Sequence, residues 1–267
     1  MIARRLLASA ALCLLAATAQ AGPADEVIDA RILPGWRLAD GTHMAGLRLV
    51  MAPGWKTYWR APGDAGIPPR FDWNGSDNLQ AVEVEWPAPE VFDQNGMRAI
   101  VYSGEVILPL RVTPASGEAV RLEARIELGV CRDICIPVEV GITGTLPAED
   151  ASPDPRIAAA LAARPYSAAE AGIRGVSCRM TPVEGGIRVS ATVEMPRAEQ
   201  VEAAVIETAD PHVWVSQPKL DRSGGRITAS SRLMHVDGAA FALDRAGLRI
   251  TVLGGGPAVD IQGCPAP

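Results

Sequence analysis

Two of the five cysteines in this 267-residue chain stand close together. Cys131 and Cys135 lie in the segment GVCRDICIP, residues 129–137, with three residues between them. A pair at this spacing could form a structural disulfide, hold a soft metal ion such as Cu(I), or exchange disulfides with another protein. Exchange requires sulfur atoms that a partner can reach, so the elements that carry the pair are decisive.

The residues on both sides of the pair predict a β-hairpin. Apolar and charged residues alternate over residues 120–130, and the alternation resumes over residues 136–142. This period of two is typical of a strand with one buried face. A disulfide needs Cα atoms within about 4.4–6.8 Å, whereas four steps along one extended strand span about 13 Å. A hairpin with residues 132–134 as its loop brings the two cysteines together.

The phase of the alternation predicts the direction of the sulfur atoms. Cys131 is in register with the charged residues of its strand, and Cys135 is in register with Glu139. We therefore expect both sulfurs on the polar face, within reach of another protein. A bond closing so short a loop would stabilise the fold little, which favours exchange over a structural role. Arg132 would favour a thiolate and Asp133 would oppose it.

Cys178 and Cys264 nearly bracket the last third of the chain. A bond between them would close a loop of about 87 residues, and the chain-entropy treatment gives it roughly 4–5 kcal/mol of stabilisation. We predict a structural disulfide here. A second redox pair is the alternative, but it lacks the close spacing.

The N-terminus has the features of a secretory signal peptide. Arg4 and Arg5 precede a short apolar run, and Ala19-Gln20-Ala21 supplies a cleavage site. A retained membrane anchor is the alternative, although the run is shorter than the roughly 20 residues that span a bilayer. Export would place the cysteines where disulfides form. The net charge of −6 argues against nucleic acid as a partner.

Many short strands without interleaved helices predict an all-β chain with two β-sandwich domains. The predicted strands are 27–33, 46–51, 81–86, 106–112, 120–130, 136–146, 187–195, 203–207, 213–216, 227–233 and 248–253. The expected organisation is a signal peptide (1–21), a first sandwich (22–147), a connector (148–171) and a second sandwich (172–267). The connector should contain one or two helical turns, with Ser152 as an N-cap and a capping box formed by Ser167 and Glu170.

Residues 53–73, PGWKTYWRAPGDAGIPPRFDW, contain five of the twelve aromatic side chains. These side chains either pack in the core of the sandwich or line an active or partner-docking site. They are Trp55, Tyr58, Trp59, Phe71 and Trp73.

The three histidines do not have the spacing of a zinc enzyme. They are His43, His212 and His235. Met97 and the Met234-His235 pair could serve Cu(I), although such residues are more often ordinary packing or surface residues.

Three segments resemble a known family: the aromatic segment 53–73, VEVEWPAPEVFDQNGMRAIVYSGEVILPL at 82–110, and LGVCRDICIPVEV at 128–140. They are similar to the N-terminal periplasmic domain of thiol:disulfide interchange protein DsbD, especially in its ScsB (suppressor of copper sensitivity) relatives. The resemblance implies an immunoglobulin-like sandwich whose redox-active pair is Cys131 and Cys135, and the ScsB type implies the second β domain. It also implies a cap over the cysteines at about Phe92–Ile100, with Met97 as a candidate covering side chain.

The resemblance further implies a thiol:disulfide oxidoreductase without a cofactor. In that family the domain receives electrons from a transmembrane domain and passes them to oxidised periplasmic proteins. No such membrane segment follows in these 267 residues, so we expect a separate membrane electron-transfer protein as donor and periplasmic thiol–disulfide proteins as acceptors. The alternatives are a copper-tolerance module that binds Cu(I), and a noncatalytic domain that docks a partner through the aromatic segment.

Overall fold

Alternating apolar and polar residues form β-strands along most of the chain. The structure, a computed structural model, describes residues 26–63, 66–94, 97–149, 151–195, 203–254 and 256–267. The proposed signal peptide, residues 1–21, lies outside the described residues. Within the described ranges the chain contains strands and one short α-helix, which confirms the predicted all-β class. No helix in these ranges is long and apolar enough to cross a membrane.

In the described ranges the first sandwich has ten strands. They are β1 (Ile28–Arg37), β2 (His43–Met51), β3 (Lys56–Tyr58), β4 (Arg70–Asp72), β5 (Leu79–Val84), β6 (Glu90–Gln94), β7 (Met97–Ser103), β8 (Glu105–Pro114), β9 (Val120–Cys131) and β10 (Cys135–Leu146). One sheet has the order β1-β2-β8-β5 and the other β10-β9-β3-β7-β6, with β4 also paired to β9. Apolar residues from both sheets form one core, in which Trp59 is completely buried.

A short helix, α1 (Pro155–Ala162), follows the first sandwich. Its N-cap is Asp154, whose carboxylate accepts a hydrogen bond from the Arg156 amide at 2.9 Å, so the prediction of Ser152 is wrong. Pro155 can occupy the first helical turn because its missing N–H is not needed there. Ile157 is fully buried against Leu33 and other apolar side chains of the first sandwich.

The predicted capping box is present, but it closes a turn and not a helix. The Ser167 amide donates to the Glu170 carboxylate at 2.8 Å, and the Glu170 amide donates to the Ser167 hydroxyl at 3.3 Å. The residues that follow are assigned as turn.

The second sandwich has nine strands in the described ranges. They are β11 (Tyr166–Ser167), β12 (Val176–Val183), β13 (Gly186–Glu194), β14 (Ala203–Glu207), β15 (Val213–Val215), β16 (Lys219–Ser223), β17 (Arg226–His235), β18 (Arg249–Leu253) and β19 (Val259–Gln262). The sheets have the orders β11-β19-β18-β14 and β12-β13-β17-β15, with β16 also paired to β17. A disulfide joins Cys178 of β12 to Cys264, and both residues are buried in the core of this sandwich.

The two sandwiches pack against each other through apolar and charged contacts. Ala203, Leu253 and Ala258 of the second sandwich are buried in the same cluster as the core of the first. Beside them, Arg60 of the first sandwich pairs with Glu207 of the second at 3.0 Å.

Candidate functional site

The two closely spaced cysteines face each other at the tip of the β9–β10 hairpin. Cys135 is the cross-strand partner of Cys131, and the register continues without a bulge to Leu146 opposite Val120. This unbroken pairing follows from the matched alternation of the two strands. A disulfide joins the two residues, whose Cα atoms are 4.1 Å apart. We call this element, with its loop 132–134, the cysteine hairpin.

The two sulfurs differ in exposure. Cys135 is exposed, whereas Cys131 is only 6% exposed. The prediction that both project into solvent is therefore wrong for Cys131. Its side chain does avoid the main core, but a second apolar cluster covers it on that side of the sheet. An incoming thiolate can reach the disulfide at Cys135, and Cys131 is then the leaving group.

The cover over Cys131 comes largely from the β6–β7 hairpin, which we call the covering hairpin. Phe92 of β6 and Ala99 and Val101 of β7 belong to the same cluster as Cys131. The Lys56 ammonium group lies 4.3 Å from the centre of the Phe92 ring, a cation–π contact. The covering hairpin spans the region to which the family resemblance assigned a cap. β7 begins at Met97, but the Met97 side chain lies outside the described residues, so its covering role stays a prediction.

Tyr58 contacts both sulfurs. Its hydroxyl oxygen lies 2.9 Å from Cys131 Sγ and 3.1 Å from Cys135 Sγ. A disulfide sulfur carries no proton, so the phenol O–H is the donor. The side chain is 5% exposed, and burial raises the pKa of the Tyr58 phenol. The hydroxyl therefore keeps its proton at neutral pH and can stabilise a thiolate that forms beside it.

Two glycines make room for the Tyr58 ring. A β-carbon on Gly129 would lie 2.9 Å from two of its ring carbons, and one on Gly66 would lie 2.9 Å from another. β3 brings Tyr58 to this position because Lys56 and Thr57 pair with the last two residues of β9. The Thr57 hydroxyl also donates to the Gly129 carbonyl at 2.9 Å.

The loop of the cysteine hairpin carries a charged pair and an exposed apolar side chain. Arg132 Nε lies 3.1 Å from an Asp133 carboxylate oxygen, and the Arg132 guanidinium lies 5.2 Å from the centre of the Trp55 ring. Their opposite charges thus lie side by side, and their opposing effects on a thiolate stay a prediction. Ile134 is 68% exposed directly beside Cys135.

The aromatic segment packs in the core of the first sandwich and also contacts the cysteine hairpin. Trp59 is core, and Phe71 and Trp73 stack at 6.0 Å and pack against the same core. Tyr58 contacts the sulfurs, and Trp55 contacts the hairpin loop. The sequence pattern did not distinguish Tyr58 from the other four aromatic side chains of this segment, because its approach to Cys131 depends on pairing between strands about 70 residues apart.

The histidines lie elsewhere. His43 is completely buried in the first sandwich, and the rings of His212 and His235 stack at 5.9 Å in the second. Met234 also belongs to the second sandwich. In the described ranges no three His, Cys, Asp or Glu side chains form a group that could hold a metal ion.

The chain is similar to one known protein family and to solved structures. The family described as "Thiol:disulfide interchange protein DsbD, N-terminal" matches residues 27–147. Among solved structures, the N-terminal periplasmic domain of ScsB from Proteus mirabilis is 21% identical, with coverage of 92% of this chain and 96% of that chain and a TM-score of 0.66. The DsbD N-terminal domain of Neisseria meningitidis in the reduced form is 16% identical, with coverage of 50% and 95% and a TM-score of 0.32. No curated protein matches the chain.

The ScsB comparison shows that this chain shares the fold of that domain over 92% of its length. The family match covers β1 to β10 and thus includes both cysteines and Tyr58. The residues quoted for the family resemblance lie within this match. Residues 27–147 therefore match the DsbD N-terminal domain family, and this match supports a thiol–disulfide exchange domain.

Proposed function

We propose that this protein is a periplasmic thiol:disulfide oxidoreductase that relays reducing equivalents through Cys131 and Cys135. Its donor is a separate membrane electron-transfer protein, and its acceptors are disulfides of periplasmic proteins. The observation that carries the proposal is the asymmetry of the pair: an exposed sulfur is bonded to a buried one, and a buried phenol contacts both.

Loading would begin when a thiolate of the reduced donor attacks Cys135 Sγ. The bond between the two cysteine sulfurs breaks, a mixed disulfide forms between donor and Cys135, and Cys131 leaves as a thiolate. The O–H of Tyr58, 2.9 Å from that sulfur, donates to the developing negative charge. The second thiolate of the donor then attacks its own sulfur in the mixed disulfide. Cys135 is released as a thiolate, and two electrons have passed to this protein.

Unloading would reverse these steps on a substrate. The exposed Cys135 thiolate attacks the substrate disulfide and forms a mixed disulfide, and one substrate sulfur leaves and takes up a proton. Cys131 then attacks Cys135 Sγ, which restores the internal disulfide and releases the second substrate thiol. The 4.1 Å separation of the Cα atoms keeps Cys131 within reach for this second step.

The test is a redox titration of the purified protein against dithiothreitol and glutathione, combined with trapping. We expect reversible two-electron reduction of the Cys131–Cys135 bond. With Cys131→Ser, Cys135 should accumulate stable mixed disulfides with a disulfide-containing peptide. With Cys135→Ser, the buried Cys131 should form few. A bond that resists both thiol reagents in the folded protein would contradict the proposal and leave a structural role.

A further inference from the structure

The active-site tyrosine lies only two residues from the main charged contact between the two sandwiches. We propose that Arg60 and Glu207 are positioning residues, through which the second sandwich holds Tyr58 against the sulfurs and sets how fast the Cys131–Cys135 bond opens. The inference rests on the proposed function and gives the second sandwich a role in it.

The contact between the sandwiches is a two-point ion pair. Arg60 Nε lies 3.0 and 3.2 Å from the two carboxylate oxygens of Glu207, and Arg60 Nη2 lies 3.0 Å from one of them. Nη2 also donates to the Thr251 hydroxyl at 3.2 Å. The Arg60 side chain is 10% exposed and that of Glu207 is 24% exposed. A planar guanidinium held at two points is fixed in orientation as well as in position.

The other side of the Arg60 guanidinium meets the first sandwich. It lies 3.7 Å from the centre of the Trp59 ring, which is completely buried in the core. Arg60 is therefore held between an aromatic ring of its own domain and a carboxylate of the other. Ala203 of β14 and Leu253 of β18 are buried in the first core together with Trp59, so both strands pack beside this ring.

A short path connects Arg60 to the sulfurs. Tyr58, Trp59 and Arg60 are consecutive, so a shift of Arg60 reaches Tyr58 across one residue. The Trp59 amide donates to the Ile100 carbonyl at 3.0 Å, which ties the same segment to β7 of the covering hairpin. On β7, Arg98 and Ile100 line a cleft of about 570 Å³ shared with the second sandwich. Ala99 and Val101, their neighbours on β7, belong to the apolar cluster around Cys131.

Loss of the ion pair should weaken the stabilisation of the leaving thiolate. Glu207→Gln removes the charge at nearly constant shape and leaves the buried Arg60 without its main partner. The segment 58–60 then gains freedom, and the Tyr58 hydroxyl spends less time at the sulfurs. We expect reduction of the Cys131–Cys135 bond by dithiothreitol to slow about threefold, within the range seen for residues that act through a neighbour.

The experiment is a double-mutant cycle that measures this rate in the full chain. Glu207→Gln is compared in the parent and in a Tyr58→Phe background, and Arg60→Lys, which keeps the charge but loses the two-point contact, serves as a second variant. Glu194→Gln is the matched control, because it breaks an exposed ion pair of the same sandwich, Arg226–Glu194 at 3.1 Å. We expect slower reduction with both interface variants in the parent, no further slowing when Tyr58→Phe is present, and no effect of the control.

Two results would overturn the inference. One is an unchanged rate for both interface variants, and the other is equal slowing with and without Tyr58, which would indicate general loosening of the fold. Circular dichroism establishes that each variant is folded, and Arg60→Lys decides the question if Glu207→Gln does not fold. A parent protein that dithiothreitol cannot reduce would contradict the proposed function itself. A reducible parent with unaffected variants would contradict only the role of the second sandwich.

Discussion

At the residue scale, one hydroxyl group, that of Tyr58, contacts both sulfurs of the cysteine pair. Tyr58 is closer to the buried Cys131 sulfur than to the exposed Cys135 sulfur, by 2.9 Å against 3.1 Å. A hydrogen bond to the leaving sulfur lowers the barrier to opening the disulfide, because leaving thiols of lower pKa depart faster. Arg132 lies 3.1 Å from Asp133, whose negative charge offsets that of the guanidinium. The charges of the loop therefore stabilise the Cys131 thiolate less directly than the Tyr58 hydroxyl does.

Removal of the Tyr58 hydroxyl tests this role. We expect Tyr58→Phe to slow reduction by dithiothreitol about tenfold, as the loss of about 1.4 kcal/mol of thiolate stabilisation would give. The measurement is stopped-flow reduction followed by thiol labelling. Tyr166→Phe, at an exposed position of the second sandwich, is the control and should leave the rate unchanged. An unaffected rate in Tyr58→Phe would remove Tyr58 from the mechanism.

At the scale of elements, the cysteine hairpin depends on a glycine that faces β3. Gly129 lies opposite the Tyr58 ring, and a β-carbon there would lie 2.8 Å from the Ile67 side chain and 2.9 Å from the Tyr58 ring, so these two side chains leave no room for it. Gly141 lies on the neighbouring strand of the same hairpin, and a β-carbon there would meet nothing within 4 Å. A substitution of Gly141 is therefore a matched control for the same substitution of Gly129.

Alanine at these two positions should have opposite consequences. We expect Gly129→Ala to lower the free energy of unfolding by about 1–3 kcal/mol, the usual cost of overpacking, because its β-carbon would overlap Tyr58 and Ile67. Gly141→Ala should be neutral or slightly stabilising, because glycine is unfavourable inside a strand. Urea denaturation measures both. Equal stability of the two variants would mean that Tyr58 is not tightly seated.

β2 begins at a buried histidine that makes the fold sensitive to acid. His43 is completely buried, and its Nε2 lies 2.6 Å from the Pro34 carbonyl oxygen. Desolvation lowers the pKa of His43 below its usual value of about 6.5, so the unfolded chain takes up the proton first as pH falls. This histidine's contribution is therefore fully present above about pH 6.5 and decreases below it.

Denaturation at two pH values checks the sign of this effect. Between pH 7.5 and 5.5 the parent should lose more unfolding free energy than His43→Gln, which cannot titrate at this position. A parent and His43→Gln that respond identically would contradict this origin of acid sensitivity.

The elements that sequence alone could predict are those whose pattern is local. The cysteine hairpin follows from two uninterrupted alternating strands, and its observed register agrees with that pattern. β3 has only three residues, and apolar and charged residues do not alternate cleanly in β6 (EVFDQ) and β7 (MRAIVYS), so these strands lack a comparable pattern. The burial of Cys131 and the place of Tyr58 depend on these elements. Spacing therefore predicted the candidate reactive pair, whereas only tertiary structure distinguishes its two sulfurs.

At the scale of the whole molecule, two disulfides occupy opposite environments. The Cys178–Cys264 bond lies in the core of the second sandwich, with its residues 0% and 2% exposed, whereas Cys135 is open to solvent. A thiolate must approach along the sulfur–sulfur axis, so burial protects a disulfide as long as the fold persists. The same chain can thus contain one bond that opens in the native state and one that does not.

Selective reduction tests this division of roles. In native buffer with dithiothreitol, we expect alkylation followed by mass spectrometry to label Cys131 and Cys135 only. In guanidinium chloride, Cys178 and Cys264 should be labelled as well. Replacement of Cys178 and Cys264 by alanine should lower the stability of the second sandwich by about 2–5 kcal/mol, as is typical for a native disulfide in a small domain. Labelling of Cys178 and Cys264 in the native state as well would contradict a structural role for the second bond, because it would show that thiols reach both bonds equally.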